Sequence, residues 1–369
     1  MKIAVVAQQM RQPVPGGIGT YISGLVGALN SNEGLGSRIE AGGHERVDVT
    51  LLASKPQRLR DPLASLGKVL RVPFGRHLTL ALWQREMLRA PEGFDVFHAT
   101  SFAFPSLKDG SQTVSTLFVH DAAWRTHPEL YPKRGSAWHE RSLIRAVKSG
   151  STFMVPSVST ADALIRAGVD SSRLHVIAEG SDHLPLLPNV DDGEFLLTVS
   201  TQEPRKNLDR LIEAYARIRP GLPHPWPLYI VGPKGWDRSD GTASVNHGSV
   251  AGVEFLGPVS DDRLAELLSR ARTFAYVPLV EGFGLPPLEA MRAGIPVVAS
   301  PVPSVSADNA YLVDPLDVGS IARGLQRLLT DDSIRKQLIA SGLNHSGECT
   351  WERAADAHLA VWAELLKRR

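Results

Sequence analysis

Cysteine is nearly missing. The 369-residue chain has one, Cys349, so no disulfide can form within it and no cysteine-based metal cluster can be built. A single thiol fits a reducing cytoplasm. Long apolar runs are missing as well. After Met1 and Lys2, the apolar stretch 3–7 is ended by Gln8 and Gln9, too short for a secretory signal core. No stretch approaches the roughly 20 apolar residues that a membrane helix needs. The expected location is cytoplasmic, free or peripheral on the inner face of the membrane. The twelve histidines include no HExxH-like ligand cluster, so no metal site is expected. Disorder is not the default, because 43% hydrophobic and 21% charged residues are ordinary values for a globular protein.

Neither sign of charge dominates, since the formal net charge is +1, but the distribution is uneven. Residues 1–180 hold 21 Lys+Arg against 15 Asp+Glu, and residues 181–369 hold 19 against 24. A basic half can attract a membrane surface, a phospholipid-linked acceptor or nucleic acid. Plain surface variation explains the asymmetry equally well.

The run 2–7 is short and β-branched with little alternation, and reads as a buried parallel strand. A glycine-rich loop is expected next, Pro15-Gly16-Gly17-Ile18-Gly19-Thr20, and then a helix over 21–29 with Ile22, Leu25, Val26 and Leu29 on one face. Further strands are expected at 47–53, 95–99, 113–119, 152–156 and 174–178, with a helix from near Ser159. After a Pro- and Asp-rich joint at 184–192 the pattern restarts. Strands are expected at 195–199, 227–231, 253–256, 273–278, 296–300 and 310–313. Helices are expected at 207–218, 263–271, 287–293, 318–329 and 333–342, and from Trp351 onward. Strands alternating with helices predict parallel sheets covered on both faces. The expected fold is α/β, with two Rossmann-like doubly wound domains at 1–182 and 183–351, and a final helix, 352–369, free to pack back on the first. Ligands then sit at the carboxyl ends of strands, in a cleft between facing domains.

The glycine-rich stretch is not a dinucleotide fingerprint. Gly17-Ile18-Gly19 lacks the third glycine, and no Lys-Ser/Thr follows to make a Walker loop. What remains is either a tight turn or a loop and helix start whose N–H groups can approach an anion.

Residues 274–294 are more specific. A buried strand is expected to end at Pro278 in a loop holding Glu281, Gly282 and Gly284. Pro286 and Pro287 then open a helix, where a missing N–H costs nothing, and Glu289 falls in its first turn. The N–H groups of Gly284 and Leu285 and the helix dipole suit phosphate. A loop carboxylate can accept hydrogen bonds from sugar hydroxyls, and one a turn into the helix can accept a pair from a ribose diol. Taken singly, Glu289 reads as a dipole-stabilising first-turn acid and Glu281 as a solvated loop residue.

The whole string, Glu281-Gly282-Phe283-Gly284-Leu285-Pro286-Pro287-Leu288-Glu289-Ala290, resembles the E-x7-E motif of family 4 retaining glycosyltransferases, which have the GT-B fold. The resemblance implies that Glu281 lies near the donor sugar's hydroxyls, that Glu289 holds the nucleotide ribose, and that the backbone of Phe283, Gly284 and Leu285 touches phosphate and sugar. A second match is Glu203-Pro204-Arg205-Lys206-Asn207. Two adjacent cations can neutralise a diphosphate as it leaves, and the string resembles the family's phosphate site. It departs from many members at Ser200, where they carry a further arginine, so the diphosphate charge falls to Arg205 and Lys206. Phe255-Leu256-Gly257-Pro258-Val259 resembles the loop that receives the nucleobase, with Val259 as a contact, and Gly17 and Gly19 resemble the family's N-domain glycine loop. Val176-Ile177-Ala178-Glu179-Gly180-Ser181-Asp182 resembles a hinge string usually reading V-I-P-N-G-V-D, and departs from it at Ala178, Glu179 and Ser181. No ligand role is assigned there.

On the acceptor side, His120 and Asp121 follow the strand 113–119, and the resemblance puts such a histidine beneath the donor sugar. His98 is a weaker candidate. A basic, apolar stretch from Arg71 to Arg89, including Phe74, Leu78 and Trp83, can rest on an anionic membrane or pack as an N-domain helix. The expected activity is retaining, metal-independent hexosyl transfer with no cofactor beyond the nucleoside diphosphate sugar. The Glu-Pro-Arg-Lys-Asn form resembles that of mannosyl- and rhamnosyltransferases, so GDP-mannose leads, with UDP-glucose and a deoxysugar nucleotide open. The expected acceptor is a glycan or polyprenyl-linked chain of a cell-surface polysaccharide, and no nucleic acid partner is expected. Two rival readings stay open: a nucleotide-sugar 2-epimerase and a catalytically idle sugar-nucleotide-binding protein.

Overall fold

The computed structural model describes residues 1–31, 47–56, 61–187, 193–236 and 250–369. The chain forms two compact units. One comprises Met1–Ala122, Ala137–Gly180 and Trp351–Arg369; the other comprises Ala123–Ser136 and Ser181–Thr350. Ala123–Ser136 goes with the second unit, where Trp236 donates its indole N–H to the Leu130 carbonyl at 3.1 Å.

In the first unit, β1 (Lys2–Val6), β2 (Asp48–Ser54), β3 (Lys68–Val72), β4 (Val96–Ala99), β5 (Val114–Phe118), β6 (Thr152–Val155) and β7 (Leu174–Val176) pair in parallel in the order β3-β2-β1-β4-β5-β6-β7. In the second, β8 (Phe195–Val199), β9 (Leu228–Val231), β10 (Val253–Gly257), β11 (Ala271–Tyr276), β12 (Val297–Ala299) and β13 (Tyr311–Leu312) pair in parallel in the order β10-β9-β8-β11-β12-β13. The chain order therefore reverses between β1 and β4 and between β8 and β11. Doubly wound sheets open a ligand crevice at the carboxyl ends of such strand pairs.

The central strands are buried because both faces are covered, which is why they read as near-continuous apolar runs. Side chains still alternate. Phe195 and Leu197 of β8 join Phe274 and Tyr276 of β11 in one core cluster, with Leu267, Leu288 and Met291 from helices. Leu196, Ala275 and Val277 face the opposite cluster, with Leu211, Tyr215 and Leu325.

Most expected elements are present within a few residues. The glycine-rich segment is the chief correction. It is not a loop: the first helix runs Gly16–Asn30, so Gly17 and Gly19 lie in its opening turn. Gly16 takes φ +63°, the left-handed region that lets the chain enter a helix here without a side-chain cap. Gly19 is buried, and a Cβ there would collide with Pro15. β3 was not expected, because its burial pattern is that of an exposed edge strand. The stretch 71–89 is thus the end of β3 followed by a helix, Arg76–Gln84, in which Trp83 is buried. A further helix, Lys133–Lys148, was also not expected; it buries only Ser142, Leu143 and Ala146, too few to print a period. The joint expected at 184–192 lies outside the described residues over 188–192. Among the described residues no helix is long and apolar enough to cross a membrane.

The last helix, Trp351–Lys367, belongs to the first unit and is tied to it by a buried polar thread. His358 Nδ1 lies 2.7 Å from the Ala354 carbonyl, which can only accept. With a neutral ring, His358 Nε2 must then accept from the Tyr21 hydroxyl at 2.8 Å. The Tyr21 oxygen in turn accepts from His98 Nε2 at 2.8 Å, and His98 Nδ1 accepts from the Thr116 hydroxyl at 2.9 Å. Thr116 finally accepts the Trp362 indole N–H at 3.2 Å. Every member is satisfied, in one direction, only if both histidines are neutral. Burial supplies that condition: it holds His358 down to about 4 and His98 well below its usual value, the latter with help from His358 and His120.

Two expectations follow from this packing. Both histidines titrate lower folded than unfolded, so their contribution is intact above about pH 6.5 and is lost as pH falls and the unfolded chain takes up protons. Urea unfolding should show a slope of up to about 1.4 kcal/mol per pH unit for each histidine between pH 6.5 and 4. His358→Gln should remove one histidine's share; a slope identical to the parent's would show that His358 is not titrating as described. Separately, a Cβ on Gly24 would stand inside the Trp351 indole. Gly24→Ala should therefore destabilise the first unit by about 1–3 kcal/mol, read by denaturant unfolding.

Candidate active site

The second unit's reversal point carries both sequence motifs. β8 leads into a tight turn, Pro204–Lys206, and then a helix, Leu208–Ile218, while β11 leads into the loop that ends at Gly284. Asn207 joins them. It takes φ +59°, a left-handed conformation that asparagine tolerates. Its amide donates to the Val277 carbonyl at 3.0 Å and the Pro315 carbonyl at 2.8 Å. The Leu279 N–H donates back to the Arg205 carbonyl at 2.8 Å.

This stitching brings Arg205, Lys206 and Glu281 together. Arg205 Nη1 lies 3.3 Å from both Glu281 oxygens. Lys206 Nζ donates to Glu281 Oε2 and, at 2.8 Å, to the Tyr276 hydroxyl, which donates to Glu281 Oε2 at 2.7 Å. Arg205 also pairs with Glu203 at 2.5 Å. Burial alone would raise the Glu281 carboxyl, but Lys206, Arg205 and the hydrogen bonds from Lys206 and Tyr276 hold it far below the usual carboxylate range. Glu203 goes the other way: burial raises it more than Arg205 and Lys206 lower it. Burial and the neighbouring Arg205 lower Lys206, with Glu281 and Glu203 opposing. The Tyr276 phenol is pushed well up, by burial and then by Glu281. Glu281 is therefore a fixed anion and Tyr276 a fixed donor.

The rest of the E-x7-E segment is shaped by packing. Gly284 takes φ +108°, and a Cβ would lie 2.6 Å from Ser304 Oγ. Ser304 donates its hydroxyl to the Gly284 carbonyl at 2.7 Å and its N–H to the Phe283 carbonyl at 3.1 Å. Phe283 and Leu285 are buried in the core, so what this stretch can offer a ligand is main chain. The helix opens at Leu285, two residues before Pro287, because Gly284 serves as its cap. Glu289 is accordingly its fifth residue and not in the first turn. Its Oε1 is 3.5 Å from His183 Nε2, a histidine that burial lowers. Val259, past β10, is half-buried against the same core. Among the described residues no three His, Cys, Asp or Glu gather closely enough to hold a metal ion.

In the first unit, His120 stands just past β5. Its Nδ1 is 2.8 Å from Glu179 Oε1, and its Nε2 is 3.1 Å from the Thr100 carbonyl. The Tyr21 ring meets it edge-on at 4.9 Å, and Tyr21 lies on the same helix as Gly17 and Gly19. His98 is fully buried in the polar thread, not open to a ligand. Sequence reasoning missed Tyr276, Glu203 and Glu179 as partners. A hydroxyl in the apolar run 274–279 was a readable signal for Tyr276. Glu179 stood where the resemblance leads one to expect asparagine, a departure that invites a search for its counter-group.

The amino-acid sequence matches the family descriptions "Glycosyl transferases group 1" over residues 186–345 and "Glycosyltransferase Family 4" over residues 15–183. O-antigen chain mannosyltransferase B of Escherichia coli is 32% identical over 274 residues, covering 70% of this chain and 71% of its own. Sucrose-phosphate synthase from Thermosynechococcus elongatus superposes with a TM-score of 0.74 at 20% identity over 100% of both chains. Anabaena Alr3699/HepE, solved with UDP and glucose, superposes with a TM-score of 0.68 at 18% identity, again over 100% of both. These likenesses carry the fold, and the closer kinship in sequence carries the rest: the chain belongs to the family 4 glycosyltransferases, has the GT-B fold, and is a glycosyltransferase.

Proposed function

We propose that this enzyme moves mannose, with retention, from GDP-mannose to a glycan or polyprenyl-linked acceptor during cell-surface polysaccharide synthesis. The observation that carries the reading is the Arg205–Lys206–Glu281–Tyr276 cluster at the carboxyl ends of β8 and β11. Arg205 and Lys206 take the diphosphate, Glu281 accepts from donor-sugar hydroxyls, and Glu289 takes the ribose. The main chain of Phe283, Gly284 and Leu285 approaches phosphate and sugar, and Val259 borders the nucleobase. The mannosyl preference is supported by the O-antigen mannosyltransferase relative.

In the retaining step, the bond from the anomeric carbon to the diphosphate oxygen breaks, and the acceptor oxygen bonds to the same face. The acceptor's proton passes to the departing diphosphate. Glu281, held by two cations and a phenol, is a poor nucleophile, which favours this route over a glycosyl-enzyme. The charge on the leaving group is met by Arg205 and Lys206, so no metal is required. The first unit receives the acceptor, with His120 at its strand end and Gly17 and Gly19 opening its first helix. Exposed Phe74, Leu78 and Met87 beside Arg71 and Arg85 support contact with an anionic membrane that carries the acceptor.

Three measurements test this reading. Lys206→Ala should lower kcat/KM at least about tenfold by removing a charge that the transition state uses; unchanged kinetics remove Lys206 from the mechanism. In a thermal-shift series of GDP, UDP and dTDP sugars, GDP-mannose should lead, with a ligand at 100 Kd adding about 2.7 kcal/mol of stability. A larger shift with UDP-glucose would overturn the donor assignment. Nucleoside diphosphate release that requires acceptor separates transfer from epimerisation and from idle binding.

A further inference from the structure

The His120–Glu179 pair has a proton inventory that its geometry dictates. His120 Nε2 faces the Thr100 carbonyl at 3.1 Å, and a carbonyl oxygen only accepts, so this nitrogen carries hydrogen. His120 Nδ1 faces Glu179 Oε1 at 2.8 Å. Two bare lone pairs would repel at that distance, so one proton lies between them, and an imidazole holds a proton more strongly than a carboxylate does. Glu179 is 5% exposed and the His120 side chain 18%. The ring is held in place by Tyr21 edge-on at 4.9 Å and by Phe118 at 4.8 Å. Thr100 is fixed in its turn by donating its hydroxyl to the Val6 carbonyl at 2.6 Å.

We propose that Glu179 is a positioning residue which, through the proton it shares with Nδ1, keeps His120 a hydrogen-bond donor at both ring nitrogens. The proposal rests on reading His120 as part of the transferase site. It deepens that reading, because a ring with both nitrogens engaged as donors cannot take the acceptor hydroxyl's proton. The departing diphosphate is then left as the proton acceptor, as same-face transfer requires. What His120 contributes is the positive edge of a donor ring, oriented by Glu179.

Two titratable groups that interact with the pair are Tyr21 from the first helix and His98 from β4. Burial, then Glu179, holds the Tyr21 phenol well above its ordinary value. Burial, then His358 and His120, holds His98 well below its own. Both stay neutral near pH 7, so the two protons belong to the pair.

Nitrogen-15 NMR of histidine-labelled protein tests this, with the His120 signals assigned by their loss in His120→Gln. At pH 7 both His120 nitrogens should show protonated-type shifts. Glu179→Gln keeps the geometry, since its amide can donate to Nδ1 while Nε2–H still meets Thr100, but it removes the shared proton. In that variant Nδ1 should become an unprotonated acceptor. Its kcat should fall at least about tenfold, with donor KM and unfolding midpoint nearly unchanged. A wild-type ring with one bare nitrogen at pH 7, or Glu179→Gln with parental kcat, overturns the proposal. Parental turnover in His120→Gln overturns the catalytic role of the His120 ring but leaves the donor site, which Lys206→Ala tests, standing.

Discussion

The second unit depends on how it buries one carboxylate. Glu281 sits where desolvation alone would neutralise it, and a buried carboxylate without partners costs several kcal/mol. It stays ionised because Lys206, Arg205 and Tyr276 converge on it from two different strand ends. Those ends are adjacent only because β8 and β11 pair at the point where the strand order reverses. Asn207 fixes the approach by bonding the main chain of the neighbouring loop. Pairing order, a left-handed asparagine and a buried ion cluster thus form one chain of causes, and the cluster is where they meet.

The first unit solves the same problem without charge. Its polar thread from Trp362 through Thr116, His98 and Tyr21 to His358 is satisfied link by link with neutral groups. A neutral thread avoids the desolvation cost of ions, but it has one allowed proton arrangement and is sensitive to acid. An ion cluster can lose or gain a ligand charge while its protein partners rearrange bonds among themselves. The thread ties the last helix to its sheet, and the cluster sits at the strand ends where the order of the second sheet reverses.

Much of this was legible in the sequence, for reasons that can be named. Fully buried parallel strands leave short β-branched runs, and 195–199 and 2–7 could be read almost to the residue. The E-x7-E string is local, so its loop and the helix that follows can be read from neighbouring residues. Legibility stopped where partners are far apart in the chain. Tyr276 and Lys206 are 70 residues apart, and His120 and Glu179 are 59. Nothing in their local context states that they touch. Helix starts failed for a different reason. Gly16 and Gly284 admit positive φ, so each helix begins earlier than residue preferences suggest.

The two acids of the cluster are not equivalent, although together they balance its two cations, Arg205 and Lys206. Glu281 is pressed toward permanent ionisation, whereas Glu203 is pressed toward the neutral acid. Glu281 receives Lys206, Arg205 and Tyr276 at once, whereas Glu203 is paired with Arg205. Both cations therefore have a carboxylate partner inside the protein, and burying them leaves neither charge unpaired.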